Sequence, residues 1–207
     1  MKTAWDDPMP LRDLTRSSAI LPRAFYERPT VEVARALLGT ILVHRETAGR
    51  IVEVEAYLGT RDGAAHASRG VTERTRVIFG PPGRAYVFLV YGMYECLNVV
   101  AEPEGHPGCV LVRALEPLAG VEIMRVRRPG ARHLRDLASG PGKLTLALGI
   151  TRRHYGCDLT RGPIVIRNLL RPEPVEIEVS RRIGVRQCAD WPLRFTVAGS
   201  AYVSRTG

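Results

Sequence analysis

Residues 50–58 read Arg-Ile-Val-Glu-Val-Glu-Ala-Tyr-Leu, and this alternation places Glu53, Glu55 and Tyr57 on one face of a strand. Val52, Val54, Ala56 and Leu58 then form an apolar face directed at a core. Two carboxylates beside a phenol are groups that take and hold protons, and a positioned carboxylate is a general base. The same pattern also describes an ordinary solvated outer face. The strand runs into residues 59–83, a long polar segment rich in Gly, Thr and Arg that contains Ala64-Ala65-His66. A loop of that length in a compact domain is commonly functional. His66 gains its interest from this company alone.

Three further stretches carry chemistry. Four aromatic residues, Tyr86, Phe88, Tyr91 and Tyr94, fall within nine positions of a chain that is only 6% aromatic. Strand aromatics are most often core, but Tyr91-Gly92 belongs to a tight turn, so the Tyr91 ring is expected to project from its tip. A projecting ring can wedge between base pairs and fill the gap left by an extruded nucleotide, or it can be a plain surface tyrosine. Arg113 ends the apolar run 108–112, where a guanidinium needs a carboxylate or a phosphate. Glu55 is a suitable partner, and such a pair would keep that acid ionised. Finally, Ser139-Gly140-Pro141-Gly142-Lys143 is a glycine-rich turn before a helix. It suits one DNA phosphate, or it is an N-cap supplied by Ser139.

The elements that must position these groups are legible from punctuation and period. Thr30 and Gly39 bracket a helix over 31–38 as N-cap and C′ residue. Strands are predicted over 40–43, 50–58, 108–115, 163–169, 175–183 and 193–198, and a hairpin over 84–90 and 95–101. Residues 117–128 read as a helix broken by Pro129-Gly130, and a second helix runs from the glycine-rich turn to about Gly149. The expectation is an α+β fold, one mixed domain over 21–207 on a curved, mainly antiparallel sheet with helices packed outside. Residues 1–20 are expected to be a flexible leader, because residues 1–16 carry three Asp and two Pro and no apolar stretch.

The whole-chain numbers agree with one soluble domain. The chain has 207 residues, 45% of them hydrophobic, and no apolar stretch is long enough for a membrane span. Net charge is +9, and the basic residues are almost all Arg, since Lys occurs only at Lys2 and Lys143. That balance fits a polyanionic partner, though a compositional bias toward Arg would give the same excess. Cys96, Cys109, Cys157 and Cys188 form no CxxC pair and lie at no zinc spacing from a His. They are expected to be free thiols in a reducing compartment, with neither disulfide nor metal. No Gly-rich fingerprint for a dinucleotide or nucleoside triphosphate is present.

Taken together, residues 50–59, Ala64-Ala65-His66, Tyr91-Gly92-Met93-Tyr94 with Asn98, residues 110–117, and Ser139-Gly140-Pro141 with Lys143-Leu144 resemble the alkyladenine (3-methyladenine) DNA glycosylases. The five motifs occur in the family's order and spacing, across residues 21–202. The resemblance implies a monofunctional enzyme that flips an alkylated or deaminated purine out of duplex DNA and hydrolyses its N-glycosidic bond. It implies Glu55 as general base and Arg113 as the residue that helps hold the water and Glu55. Tyr57, His66 and Phe88 become walls around the flipped base, with His66 near the sugar-phosphate. Phe88 stands where a tyrosine is familiar, so stacking is kept and a hydroxyl hydrogen bond is lost. Tyr91 becomes the intercalating residue, Asn98 the pocket residue that disfavours guanine, and Lys143 a backbone phosphate contact. The family uses no cofactor and no metal. Its partner is double-stranded DNA containing a damaged purine, no membrane is involved, and a monomer is expected. A cytoplasmic, nucleoid-associated protein follows.

Other function classes explain less. A non-catalytic nucleic-acid-binding module accounts for the charge and the rings but gives Glu55 and Arg113 no role. An RNA-directed enzyme acting on splayed bases differs in substrate and is separable by competition. A metal-dependent nuclease lacks its carboxylate or His cluster. A glycosylase–lyase needs an amine, and only Lys2, Lys143 and the N-terminus offer one.

Overall fold

The protein is described by a computed structural model that covers residues 10–204. Fourteen elements follow in order: α1 (Leu11–Arg16), β1 (Ser18–Ile20), α2 (Arg23–Tyr26), α3 (Thr30–Leu37), β2 (Ile41–His44), β3 (Thr47–Tyr57), β4 (Ala85–Val90), β5 (Tyr94–Ala101), β6 (Gly108–Ala119), α4 (Val121–Arg127), α5 (Pro141–Leu148), β7 (Ile164–Leu169), β8 (Ile177–Ser180) and β9 (Arg194–Val197). All described strand pairs are antiparallel, in the order β1-β7-β2-β3-β6-β5-β4, with β8–β9 attached through β9 to β3. The sheet is curved and unclosed, and the expected α+β class holds.

The long strands β3 and β6 are buried along nearly their whole length because both faces are covered. One face carries the main core, where Val33, Ala34 and Leu37 of α3 meet Ile51, Val54 and Ala56 of β3, Val112 and Leu115 of β6, and Leu144 and Leu148 of α5. Simple alternation predicts Val52, not Ile51, on that face. The reason is a bulge: Ile51 pairs with Leu115 and Glu53 with Ala114, so Val52 is an extra residue. A second irregularity follows at once. Glu53 faces Ala114 and Val54 faces Val112, which leaves Arg113 as the extra residue on β6. At the same place β3 changes partner on its other edge, from β2 at residues 47–50 to β9 at residues 53–55. The sheet therefore bends where Glu53, Glu55 and Arg113 sit.

Several expectations are corrected. Leu11–Arg16 is a helix with Leu14 buried, and Ser18–Ile20 pairs with β7, so residues 11–20 are built into the fold rather than forming a leader. Residues 1–9, which include Lys2, lie outside the described residues. Thr30 is the first residue of α3, and its hydroxyl bonds Glu102 rather than capping the helix. Pro117–Ala119 continues β6, and α4 begins only after Gly120 turns the chain at φ 69°. Ser139 does not cap α5; Gly140 holds that position and Ser139 bridges to Ala114. The long polar segment contains three short 3-10 turns, one of which, His66–Arg69, opens on the predicted histidine.

Candidate active site

A cavity of about 360 Å³ opens where β3 ends beside the β4–β5 hairpin, closed on its far side by the turn after β8. Its size lies near the lower end of small-ligand pockets, roughly 300–1,000 Å³. Tyr57, His66, Phe88, Tyr91, Asn98 and Arg113 all border it, brought together from four separate stretches of chain.

Glu55 sits just behind this lining and is completely buried. It is not part of a solvated face, because the segment around Ile183 covers it: the Ile183 N–H donates to Oε1 at 2.7 Å. Arg113 Nη1 lies 3.3 Å from the same oxygen, and the Tyr57 hydroxyl donates to Oε2 at 2.9 Å. A carboxylate offers about four lone-pair positions, two on each oxygen. Among the described residues each oxygen accepts one hydrogen bond, Oε1 from Ile183 and Oε2 from Tyr57, and Arg113 adds an ion-pair contact at Oε1. Burial raises the Glu55 pKa above the ordinary carboxylate value, outweighing the opposing Arg113 charge and the Ile183 and Tyr57 hydrogen bonds. Arg113 pairs with this acid and favours its charged form as expected, but burial has the larger effect and the net shift is upward.

The sequence reading placed Glu53 on the same face but gave it no role. It is also fully buried and gathers Arg113 Nε at 2.9 Å, Arg194 Nε at 2.8 Å, the Ser204 hydroxyl at 2.7 Å and the Ser204 N–H. Although burial acts to raise its pKa, these donors win and the net shift is downward. Arg113 thus spans two acids of opposite character, one held as carboxylate and one shifted toward the acid form.

The aromatic walls are individually braced. The Arg182 guanidinium lies 4.7 Å over the Tyr57 ring and is itself paired with Asp62 inside the protein. The Arg74 guanidinium lies 4.9 Å over Phe88. His66 meets Phe88 edge-on, with centroids 4.6 Å apart, and its Nδ1 is 2.8 Å from the Tyr86 hydroxyl. Burial, with Arg74 and Arg69 nearby, pushes the His66 pKa down to about 4, so the ring is neutral at neutral pH. Asn98 is buried and its Nδ2 donates to the Tyr86 carbonyl at 3.2 Å.

The hairpin tip behaves as its sequence suggests. Tyr91 is 83% exposed, and both Tyr91 and Gly92 have positive φ, 51° and 69°. A tyrosine in the left-handed region is strained by about 1–2 kcal/mol relative to glycine. Met93 and Tyr94 flank it and are also exposed. The first turn of α5 packs against this hairpin: a Cβ on Gly142 would lie 2.8 Å from Cβ of Tyr94, so that position must be glycine. Lys143 is exposed on the same turn and, with Tyr91, Arg127 and Arg128, borders a second depression of about 560 Å³ rather than the main cavity.

The residues that sequence reasoning missed are Glu53, Asp62, Arg74, Tyr86, Arg182, Ile183 and Arg194. Glu53 and Tyr86 lay inside stretches already singled out, and Asp62 and Arg74 inside the long polar segment 59–83. Arg182, Ile183 and Arg194 are joined to the site only by contacts across many residues, such as Arg182 to Asp62. Among the described residues, no group of three or more His, Cys, Asp or Glu side chains is placed to hold a metal ion. Cys96 and Cys109 border the cavity as free thiols, raised by burial to about 11 and about 12.

Comparison with known proteins gives a consistent result. The family model described as Methylpurine-DNA glycosylase (MPG) matches residues 24–201. Among curated relatives, a protein of Methanoculleus marisnigri is 55% identical over 191 residues, covering 89% of this chain and 98% of the relative. Relatives from Methanocella arvoryzae and Koribacter versatilis are 51% and 49% identical, covering 84% and 90% of this chain and 89% and 93% of their own. Each bears the name "Putative 3-methyladenine DNA glycosylase".

Proposed function

The chain belongs to the methylpurine-DNA glycosylase family, and we propose that it works by drawing a damaged purine into the 360 Å³ cavity and releasing it with a water activated by Glu55. As a family member it is a DNA N-glycosylase, a hydrolase of N-glycosyl bonds that acts in base excision repair. The observation that carries the mechanistic reading is a fully buried carboxylate, Glu55, whose three polar neighbours Tyr57, Ile183 and Arg113 all border the cavity.

A water docked on Oε2 gives its proton to Glu55 as its oxygen attacks C1′ of the sugar. The same charge opposes the positive charge that builds on the sugar as the base departs. Arg113 and the Ile183 N–H fix the carboxylate, so little reorganisation accompanies the reaction. Tyr57, His66 and Phe88 stack on the purine, with base–aromatic stacking worth about 1–3 kcal/mol per base. A neutral His66 suits a purine made cationic by alkylation, since an imidazolium would repel it. Asn98, anchored to the Tyr86 carbonyl, crowds the exocyclic amine of guanine. Tyr91 enters the helix as the nucleotide leaves, and Lys143 holds a backbone phosphate beside it.

The substrate is double-stranded DNA containing a damaged purine, the enzyme acts as a monomer without cofactor or metal, and its place is the cytoplasm, on the nucleoid. The product is an abasic site without strand cleavage. Lys143, the sole lysine among the described residues, sits on the surface and borders the neighbouring depression rather than the cavity, so it is poorly placed to form a Schiff base there. Base release from duplexes carrying one lesion each, wild type against Glu55→Gln, tests the reading. Retained turnover in the variant removes Glu55 from the mechanism.

A further inference from the structure

His66 is held in place by Tyr86, which shares the cavity lining, and through it by Arg74, which does not. Its Nδ1 lies 2.8 Å from the Tyr86 hydroxyl, and Arg74 Nε approaches the same hydroxyl at 3.2 Å. These two contacts decide where the imidazole proton sits. An arginine Nε–H only donates, so Tyr86 Oη accepts from Arg74. The Tyr86 side chain is 1% exposed, and among the described residues its hydroxyl has no other partner. If His66 Nδ1 also donated, the tyrosine proton would have no acceptor in a buried place, a costly arrangement. The consistent arrangement runs one way: Arg74 donates to Tyr86, Tyr86 donates to Nδ1, and the His66 hydrogen is on Nε2.

We propose that Arg74 is a positioning residue of the pocket, acting through the Tyr86 hydroxyl to keep the His66 proton on Nε2, the ring nitrogen that no described protein group engages. Arg74 is suited to this because its guanidinium is held at a second point, over the ring of Phe88. Phe88 has no hydroxyl and cannot divert the Arg74 donor, whereas a tyrosine there would offer a competing acceptor nearby. His66 then presents a fixed N–H donor toward the cavity, matched to an acceptor on the bound nucleotide, a phosphate oxygen or a ring nitrogen. Nearby Arg74 and Arg69 also disfavour a second proton on the ring. The proposal rests on the cavity being the nucleotide site.

The test has a part that needs no activity. Long-range nitrogen–proton NMR of the His66 ring in DNA-free protein is expected to show protonated Nε2 and bare Nδ1 in the wild type. Tyr86→Phe and Arg74→Ala are expected to give a mixture of both tautomers, and Arg74→Lys to restore the wild-type pattern. A wild-type ring protonated on Nδ1, or an Arg74→Ala spectrum identical to wild type, overturns the proposal. Single-turnover base release at saturating enzyme is the second readout. Misorientation of His66 is expected to slow Arg74→Ala by roughly tenfold, while in a His66→Ala background the same change adds nothing. Additive losses overturn the coupling. Should wild-type protein release no base while the NMR result stands, the functional reading fails and the tautomer assignment survives.

Discussion

The hydroxyl of Tyr57 donates to Oε2 of Glu55 at 2.9 Å, so a wall of the pocket and the acid behind it are joined by one hydrogen bond. The two residues stand two apart on one face of β3. Any group that displaces the Tyr57 ring therefore displaces a donor of the carboxylate. The bond can be cut without removing the ring. In Tyr57→Phe stacking is kept, but Glu55 loses a donor that lowers its pKa, so that pKa rises further. The acid limb of the base-release profile is expected to move to higher pH, with the plateau reduced less than in Tyr57→Ala. A pH–kcat/KM profile from pH 4 to 9 checks this.

Glu55→Gln is expected to lose about 10²–10⁴-fold in base release, the scale of general-base help. Duplex affinity is expected to stay within a few-fold, since Glu55 is buried behind the lining. Stability at neutral pH is expected to hold or rise, because the change removes a carboxylate whose pKa is raised by burial. Fluorescence anisotropy, single-turnover rates and urea melts separate the three effects.

Glu53→Gln tests a different claim. Arg113, Arg194 and Ser204 all donate to Glu53, and removing its charge leaves buried guanidinium groups short of a partner. The expected loss is about 3–5 kcal/mol, the range for breaking a buried ion pair. A urea midpoint equal to wild type would show that Arg113 is held adequately by Glu55 alone.

Tyr91→Ala is expected to lower base release by about 1–3 kcal/mol, the worth of one stacking ring, without lowering the thermal midpoint. Tyr91→Gly is expected to raise the midpoint, because φ at this position is 51°. A sharp fall in either midpoint would mean that the ring packs against the sheet.

Acid should destabilise the protein in two stages. Between pH 6.5 and about 4 the unfolded His66 binds a proton that the native ring does not, so stability falls as pH falls through that window. Below it, Glu53, Asp62 and Asp158 have depressed pKa values, Asp158 falling from 3.8 to about 2 through its bonds with Thr160 and the Arg23 and Arg84 charges. Their contribution is present above the unfolded values and is lost as pH drops through the native ones. Urea midpoints are expected to be lower at pH 2 than at pH 7, with protonation of Glu55, whose pKa is raised, opposing the His66 loss on the way down, and Asp158→Asn is expected to flatten the curve below pH 4.

Local signals carried much of this structure. Alternation located β3, the Tyr91-Gly92 turn located the hairpin, and a buried arginine at the end of an apolar run foretold a carboxylate partner for Arg113. What alternation could not convey is the pair of bulges. Val52 and Arg113 each interrupt a period of two, and no residue type announces either. The cover over Glu55 was equally hidden, since Ile183 lies 128 residues away and contributes a backbone N–H, which every residue except proline possesses. Residues 11–20 read as a leader because a short helix with one buried leucine and a three-residue strand barely differ in composition from a solvated tail.

The long reach of those contacts has a consequence for synthesis. A nascent chain that has emerged as far as β6 already holds Glu53, Glu55 and Arg113, with two acids and one guanidinium between them. Ile183, Arg194 and Ser204, which quieten that imbalance, are translated later. The end of β3 is thus completed by residues that leave the ribosome last among those that build it.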